Sequence, residues 1–141
     1  MAKAVAQLIF NRVTVGLTIV SQLAIHASAA QLNGAWANDP SACAKIFLMK
    51  DNKLSMSDHS DLFGTGFIID GDQFTDHFVT CRIKDRKYDA STVRLVTDCS
   101  TNLGKFADEI VLRIDDTDRL TRFNAGSREA GLTYFRCPET R

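Results

Sequence analysis

Between Gln31 and Arg141 the chain has only two histidines, no C-x-x-C pair, no G-x-S-x-G elbow and no internal repeat. Without the elbow, the sequence lacks the strand-to-helix turn that presents a hydrolase serine. Without close cysteine pairs, both a zinc site and thioredoxin-like redox chemistry lose their usual signature. Net charge is missing too: 17 Lys and Arg balance 17 Asp and Glu. Nucleic acid needs a strongly basic face, so no such partner is expected.

The first thirty residues differ in kind from the rest. They carry Lys3 and Arg12, no acidic residue, an apolar run from Val13 to Ile25, and then Ala27-Ser28-Ala29-Ala30. This charged, apolar, small-residue order is that of a secretory signal. A membrane anchor is the competing reading, but it needs roughly 20 apolar residues. The run here has thirteen, interrupted by Thr14, Thr18, Ser21 and Gln22. Cleavage after Ala29 or Ala30 satisfies the small-residue rule, and the cut before Gln31 is preferred. The expectation is therefore a signal peptide over 1–30 and one β-rich domain over 31–141. That domain carries fifteen Lys and Arg against seventeen Asp and Glu, a formal charge of −2. It is expected in the periplasm or the medium, as a monomer, with no cofactor and no stable membrane insertion.

Cys43, Cys81, Cys99 and Cys137 all fall in the mature part, and no two are closer than eighteen residues. An even count in a small exported domain reads as two disulfides.

Along the chain, Asp39 caps a short helix that Pro40 opens and that reaches Lys45. Strand-sized pieces follow. Ile46–Met49 and Leu54–Met56 flank the turn Lys50-Asp51-Asn52-Lys53. Phe63–Asp70 contains Gly64 and Gly66, which suggest a sharp bend. Phe74–Lys84 reads as one long strand, and Thr92–Cys99, Glu109–Asp115, Arg119–Phe123 and Leu132–Cys137 complete the set. Residues 102–107 and 124–131 read as loops. If Cys81 faces Cys99, the same antiparallel register sets Ile83 against Thr97, Asp85 against Leu95 and Lys87 against Val93. Strand side chains alternate, so Val79, Cys81, Ile83, Val93, Leu95 and Cys99 then share a core face, opposite Arg82, Lys84, Arg94 and Asp98. Hydrophobic pattern and cysteine pairing agree, which leaves Cys43 for Cys137. About eight short strands linked in sequence predict a small antiparallel up-and-down barrel, or a meander sandwich, with one short N-terminal helix.

Several stretches, G-A-W-A-N-D-P-S-A-C-A-K-I-F at 34–47, F-G-T-G-F-I-I-D at 63–70, T-C-R-I-K at 80–84, D-C-S-T at 98–101 and Y-F-R-C-P at 134–138, resemble a group of small exported, four-cysteine bacterial proteins of uncharacterised function. That resemblance implies export and a single bridged domain, and supplies no activity. Gly34 and Trp36 also resemble the G-x-W that opens the first strand of eight-stranded barrels such as lipocalins, avidins and periplasmic inhibitors of secreted metalloproteases. In those folds a late-strand arginine packs over the indole, a part that Arg136 or Arg122 would play here. Read from the residues alone, Trp36 plugs one end of a small core; that Gly34 and Arg136 belong to the plug is what the resemblance implies.

Asp58-His59-Ser60-Asp61 places triad-type residues side by side, although triads are assembled in space rather than in sequence. His59 and His77 with Asp61 and Asp76 are a conceivable metal set that nothing in their spacing demands. Asp70, Asp72 and Asp76, like Asp115, Asp116 and Asp118, are what ordinary turns prefer, so calcium is not expected. Arg82, Lys84, Arg86, Lys87 and Arg94 form a possible anion patch on the central hairpin, diluted by Asp85, Asp89 and Asp98. The reading that follows is an exported, non-catalytic binding module for an envelope protein or small ligand, an inhibitor of a secreted hydrolase being one form. A small hydrolase using Asp58, His59 or Asp61 and a purely structural envelope component are the rivals.

Overall fold

The computed structural model describes residues 29–124 and 130–138. The expected signal segment lies outside them except for its last two residues, and so does most of the expected loop 124–131. The backbone of α1, Ala29–Leu32, leads into β1, Gly34–Ala37. After β1 comes an insert made of a 3₁₀ turn at Pro40–Ala42, α2 at Cys43–Ile46, the hairpin of β2 (Phe47–Lys50) and β3 (Lys53–Met56), and a second 3₁₀ turn at Ser60–Phe63. The remaining strands are β4 (Gly66–Asp70), β5 (Gln73–Asp76), β6 (Thr80–Asp89), β7 (Thr92–Thr101), β8 (Gly104–Ile114), β9 (Arg119–Phe123) and β10 (Gly131–Arg136).

Eight of these strands close into an antiparallel barrel in the order β1-β10-β9-β8-β7-β6-β5-β4, while β2 and β3 form a separate ribbon. Closure removes the exposed edges that an open sheet would present. The helix start is as read: the Asp39 carboxylate accepts from the Ser41 amide at 2.9 Å ahead of Pro40. Both expected bridges, Cys43–Cys137 and Cys81–Cys99, are present.

Three details of the strand reading are corrected. Phe74–Lys84 is two strands rather than one, because Asp76 turns the chain. Its Oδ1 accepts from the Phe78 and Val79 amides at 2.9 and 3.0 Å, and Phe74 then pairs with Cys81. Residues 104–107 are strand rather than loop, since β7 and β8 pair out to Thr101 and Gly104. A bulge between Ile83 and Asp85 shifts the register by one, so Arg86 faces Leu95 and Tyr88 faces Val93. Bulges insert one unpaired residue and turn the following side chains to the other face. The barrel thus reaches eight strands without the 46–56 hairpin, with β1 and the split strand in its place.

Alternation sorts the side chains into two cores. Trp36, Phe67, Ile69, Phe74, Cys81, Ile83, Val93, Leu95, Cys99, Ile110, Leu112, Leu120 and Tyr134 fill the barrel, with Leu32 of α1 beneath them. Outside the wall, Ala35, Ala37 and Ile68 meet Ala42, Cys43, Ile46, Phe47 and Cys137 from the insert and the end of β10. The approach is close at Gly66, where an added Cβ would lie 2.7 Å from the Phe47 ring. Successive connections alternate between the two ends. α1, the β4–β5 turn, the β6–β7 turn and the β8–β9 turn share one end, and the insert, the β5–β6, β7–β8 and β9–β10 connections share the other.

Candidate functional site

The end that carries α1 is plugged. Trp36 and Arg136 are directly paired on β1 and β10, and the guanidinium lies 4.2 Å from the indole centroid. The indole Nε1 donates to the Leu32 carbonyl at 2.9 Å, and Arg136 donates to the carbonyls of Gln31, Asn33 and Thr117 and faces Asp118. Of the two candidate arginines, Arg136 is the one over the indole. Gly34, at φ +127°, leaves room for it, since a Cβ there would sit 3.1 Å from the guanidinium. Charge-assisted bonds to three carbonyls tie the first described turn to the last strand.

The opposite end holds two polar constellations. In the first, the Ser60 hydroxyl lies 2.9 Å from His77 Nδ1, and His77 Nε2 lies 3.3 Å from an Asp61 carboxylate oxygen. Ser60, His77 and Asp61 therefore line up as a hydroxyl, an imidazole and a carboxylate, but Ser60 is only 1% exposed. Asp58 and His59 do not join them. Both are exposed, and His59 takes a left-handed backbone conformation (φ 59°) ahead of the 3₁₀ turn. His59 is the neighbour of Ser60 in sequence, but His77 is the imidazole that reaches its hydroxyl, because the chain turns at 77–79. No local pattern marks that pairing.

In the second constellation, Arg122 and Asp76 point inward above the aromatic core. Nη1 of Arg122 is 3.5 Å from Asp76 Oδ2, and its guanidinium lies 5.0 Å from the Phe74 centroid and 5.8 Å from that of Phe67. The connections at this end present apolar side chains to solvent. Leu62 and Phe63 come from the insert, Phe78 from the β5–β6 turn, Leu103 and Phe106 from the β7–β8 hairpin, and Leu132 from the start of β10. Leu103 is 100% exposed and Phe78 77% exposed. An exposed leucine alone means little, but six large exposed apolar residues come from the four connections at this end. Of these residues, only Leu103 and Phe106 fall within a stretch that the sequence marks as a loop, 102–107.

No known protein family, curated protein or solved structure matches this chain. The geometry alone carries the functional reading.

The other candidates resolve into structural roles. On the central hairpin, Lys84 pairs with Asp98 at 3.5 Å, Arg94 with Glu109 at 3.0 Å and Arg86 with Asp72 at 2.7 Å. The bulge turns Arg86 away from the face that holds Arg82, Lys87 and Arg94, so the five residues do not all share one face. The aspartate clusters cap turns and pair with arginines: Asp116 accepts from the Asp118 amide and faces Arg119, and Asp115 accepts from Arg113 and Thr121. Burial raises the Asp115 pKa. The bonds from Arg113 and Thr121, with the charges of Arg113 and Arg119, outweigh that and hold it below the ordinary carboxylate range. Asp39 is also held low, chiefly by the Ser41 hydroxyl and amide. Among the described residues no three His, Cys, Asp or Glu side chains gather as a metal site, and no helix is long and apolar enough to cross a membrane. A groove of about 260 Å³ runs between β3 and the outer wall, past Leu54, Met56, Ile68 and Thr75.

Proposed function

We propose that this chain is an exported binding protein, working in the periplasm or outside the cell, that docks a protein partner on the loop end of its barrel. The observation that carries the reading is the contrast between a filled interior and an apolar rim. Trp36, Phe67 and Phe74 occupy the space that a ligand-carrying barrel would leave open, while Leu62, Phe63, Phe78, Leu103, Phe106 and Leu132 face outward at the other end from the plug. Small-molecule sites are concave and bury most of their ligand, whereas a projecting apolar rim suits a protein surface. Two disulfides agree with an oxidising compartment. The G-x-W plug, with its arginine, favours kinship in architecture with small exported barrels. An inhibitor of a secreted hydrolase is one specific form of the proposal. A purely structural envelope protein would have no use for such a rim.

The test is capture from cell-envelope extract by the oxidised, exported protein and by Leu103→Asp/Phe106→Ser. Both substitutions lie at an exposed hairpin end and should leave the thermal midpoint in place. A defined partner retained by wild type and by His59→Ala, but lost by the double variant, is the expected result. Equal capture by the double variant would overturn the reading.

A hydrolase remains the rival because of Ser60, His77 and Asp61. A serine nucleophile must come within about 3–3.5 Å of a carbonyl carbon, and burial of Ser60 denies that approach. A fluorophosphonate probe is therefore expected to leave Ser60 unmodified. Labelling that disappears in Ser60→Ala would establish the hydrolase instead.

A further inference from the structure

The β2–β3 ribbon stands outside the closed ladder of the barrel and keeps open edges. Its turn residues Asp51 and Asn52 both have left-handed backbone angles, φ 50° and 60°, as the primed two-residue hairpin requires. In such a hairpin the flanking pair, Lys50 and Lys53, exchanges both ladder bonds, and bonded and non-bonded rungs then alternate. Leu48 with Ser55 is the next bonded rung. The one after it is where the Ser57 amide donates to the Ile46 carbonyl at 2.8 Å. Leu54 and Met56 fall on the rungs between, so their N–H and C=O groups point away from β2. Among the described residues these groups have no partner.

That edge borders the groove of about 260 Å³ on the outer wall. All four residues of β3, Lys53 to Met56, line it, although successive strand side chains point to opposite faces. Lining from both faces means that the edge of the strand forms one side of the groove. Ile68 and Thr75, paired across β4 and β5, lie opposite and face outward, because their neighbours Phe67, Ile69 and Phe74 fill the interior. Leu54 and Met56 pack against the same small core that contains Ile68.

We propose that this slot takes an extended peptide segment of a partner protein, added to β3 as the third strand of the ribbon. The main chain of the segment bonds to Leu54 and Met56, and its alternate side chains, apolar, rest on Leu54, Met56 and Ile68. Unpaired ladder groups select an extended chain: a helix spends its main-chain groups internally, and a small molecule has no repeat to match two rungs. A lone segment also suits the wall opposite, against which a second copy would have to bring its own barrel. The inference goes beyond the docking reading, since none of the six rim residues lines the slot.

The test starts from random-peptide display on the oxidised protein, with the enriched peptide then made free and capped at both ends. On its addition the Leu54 and Met56 amides are expected to exchange more slowly by NMR, whereas those of Lys53 and Ser55, already bonded to β2, change little. N-methylation of alternate peptide residues gives two sets, only one of which faces β3. One set should abolish binding and the other leave it intact. Thr75→Arg, on the outward face of the wall, should fill the slot and abolish binding. Leu54→Pro removes one outward N–H from an edge strand and should weaken binding about five- to ten-fold, the worth of one backbone hydrogen bond. If Leu54→Pro fails to fold, Thr75→Arg and the methylated peptides decide.

No enriched peptide, no slowing at Leu54 and Met56, undiminished binding by Thr75→Arg, or the same effect from both methylated sets overturns the inference. So does a dimer in sedimentation equilibrium that Thr75→Arg dissociates, because the edge then belongs to a second copy. Leu103→Asp/Phe106→Ser is expected to bind the peptide as wild type does, even where it loses the captured partner. Loss of the peptide there would place it on the rim and overturn the slot instead.

Discussion

Arg136 lies over Trp36, and Arg122 over Phe74 and Phe67 beside Asp76. Arg136 also donates to three carbonyls and toward Asp118, so its job is to hold α1 and β1 against β10. A lysine keeps the charge but loses the planar fork. Arg136→Lys is expected to lower stability by about 2 kcal/mol, the scale of a charge-assisted hydrogen bond, measurable by denaturant unfolding. A variant as stable as wild type would mean the plug contributes nothing. Asp115 supplies a pH dependence. Its folded pKa lies below its unfolded value, so its contribution is present above the unfolded carboxylate range and is lost as pH falls through the folded pKa. Asp115→Asn should therefore be less stable than wild type at neutral pH, with the two thermal midpoints converging in acid. A constant difference across the range would contradict the Arg113 and Thr121 assignment.

Among the elements, the insert between β1 and β4 is joined to the barrel by its own small core and by one covalent link. Ala42, Cys43, Ile46 and Phe47 lie against the outer face of Ala35, Ala37 and Ile68, and Cys43 is bonded to Cys137. Replacing both cysteines by alanine should loosen the insert first, seen as faster amide exchange over 40–50 while the amides of β7 and β8 stay protected. The barrel has its own covalent tie, Cys81–Cys99, between neighbouring strands. Uniform loss of protection would show that insert and barrel are one cooperative unit. The β6–β7 hairpin shows how far alternation can be read. From Cys81 to Ile83 the expected pairing holds, and beyond the bulge it fails by one residue. The pleat is legible in sequence because its period is two, whereas a bulge leaves no periodic mark.

Taken whole, the molecule is a closed sheet with a plugged end, an apolar end and two covalent crosslinks. The bridges span sequence separations of 18 and 94 residues. In the chain-entropy model these contribute about 3 and 4.7 kcal/mol, comparable to the roughly 5–15 kcal/mol net stability of a domain. Full reduction is expected to unfold the protein or to lower its thermal midpoint by tens of degrees, followed by circular dichroism. An unchanged midpoint would show that the barrel stands without them. The sequence by itself determined the β class, the helix cap at Asp39 and the pairing and core face of Cys81 and Cys99, which follow from short-range rules of alternation, capping and spacing, and it left Cys43 for Cys137 by elimination. Only the tertiary structure decided that the sheet closes, that Arg136 rather than Arg122 covers the indole, that His77 rather than His59 meets Ser60, and that six apolar side chains from separate connections gather at one end. Those facts depend on where the chain reverses and how it wraps, and residues far apart in sequence become neighbours only once the barrel has closed.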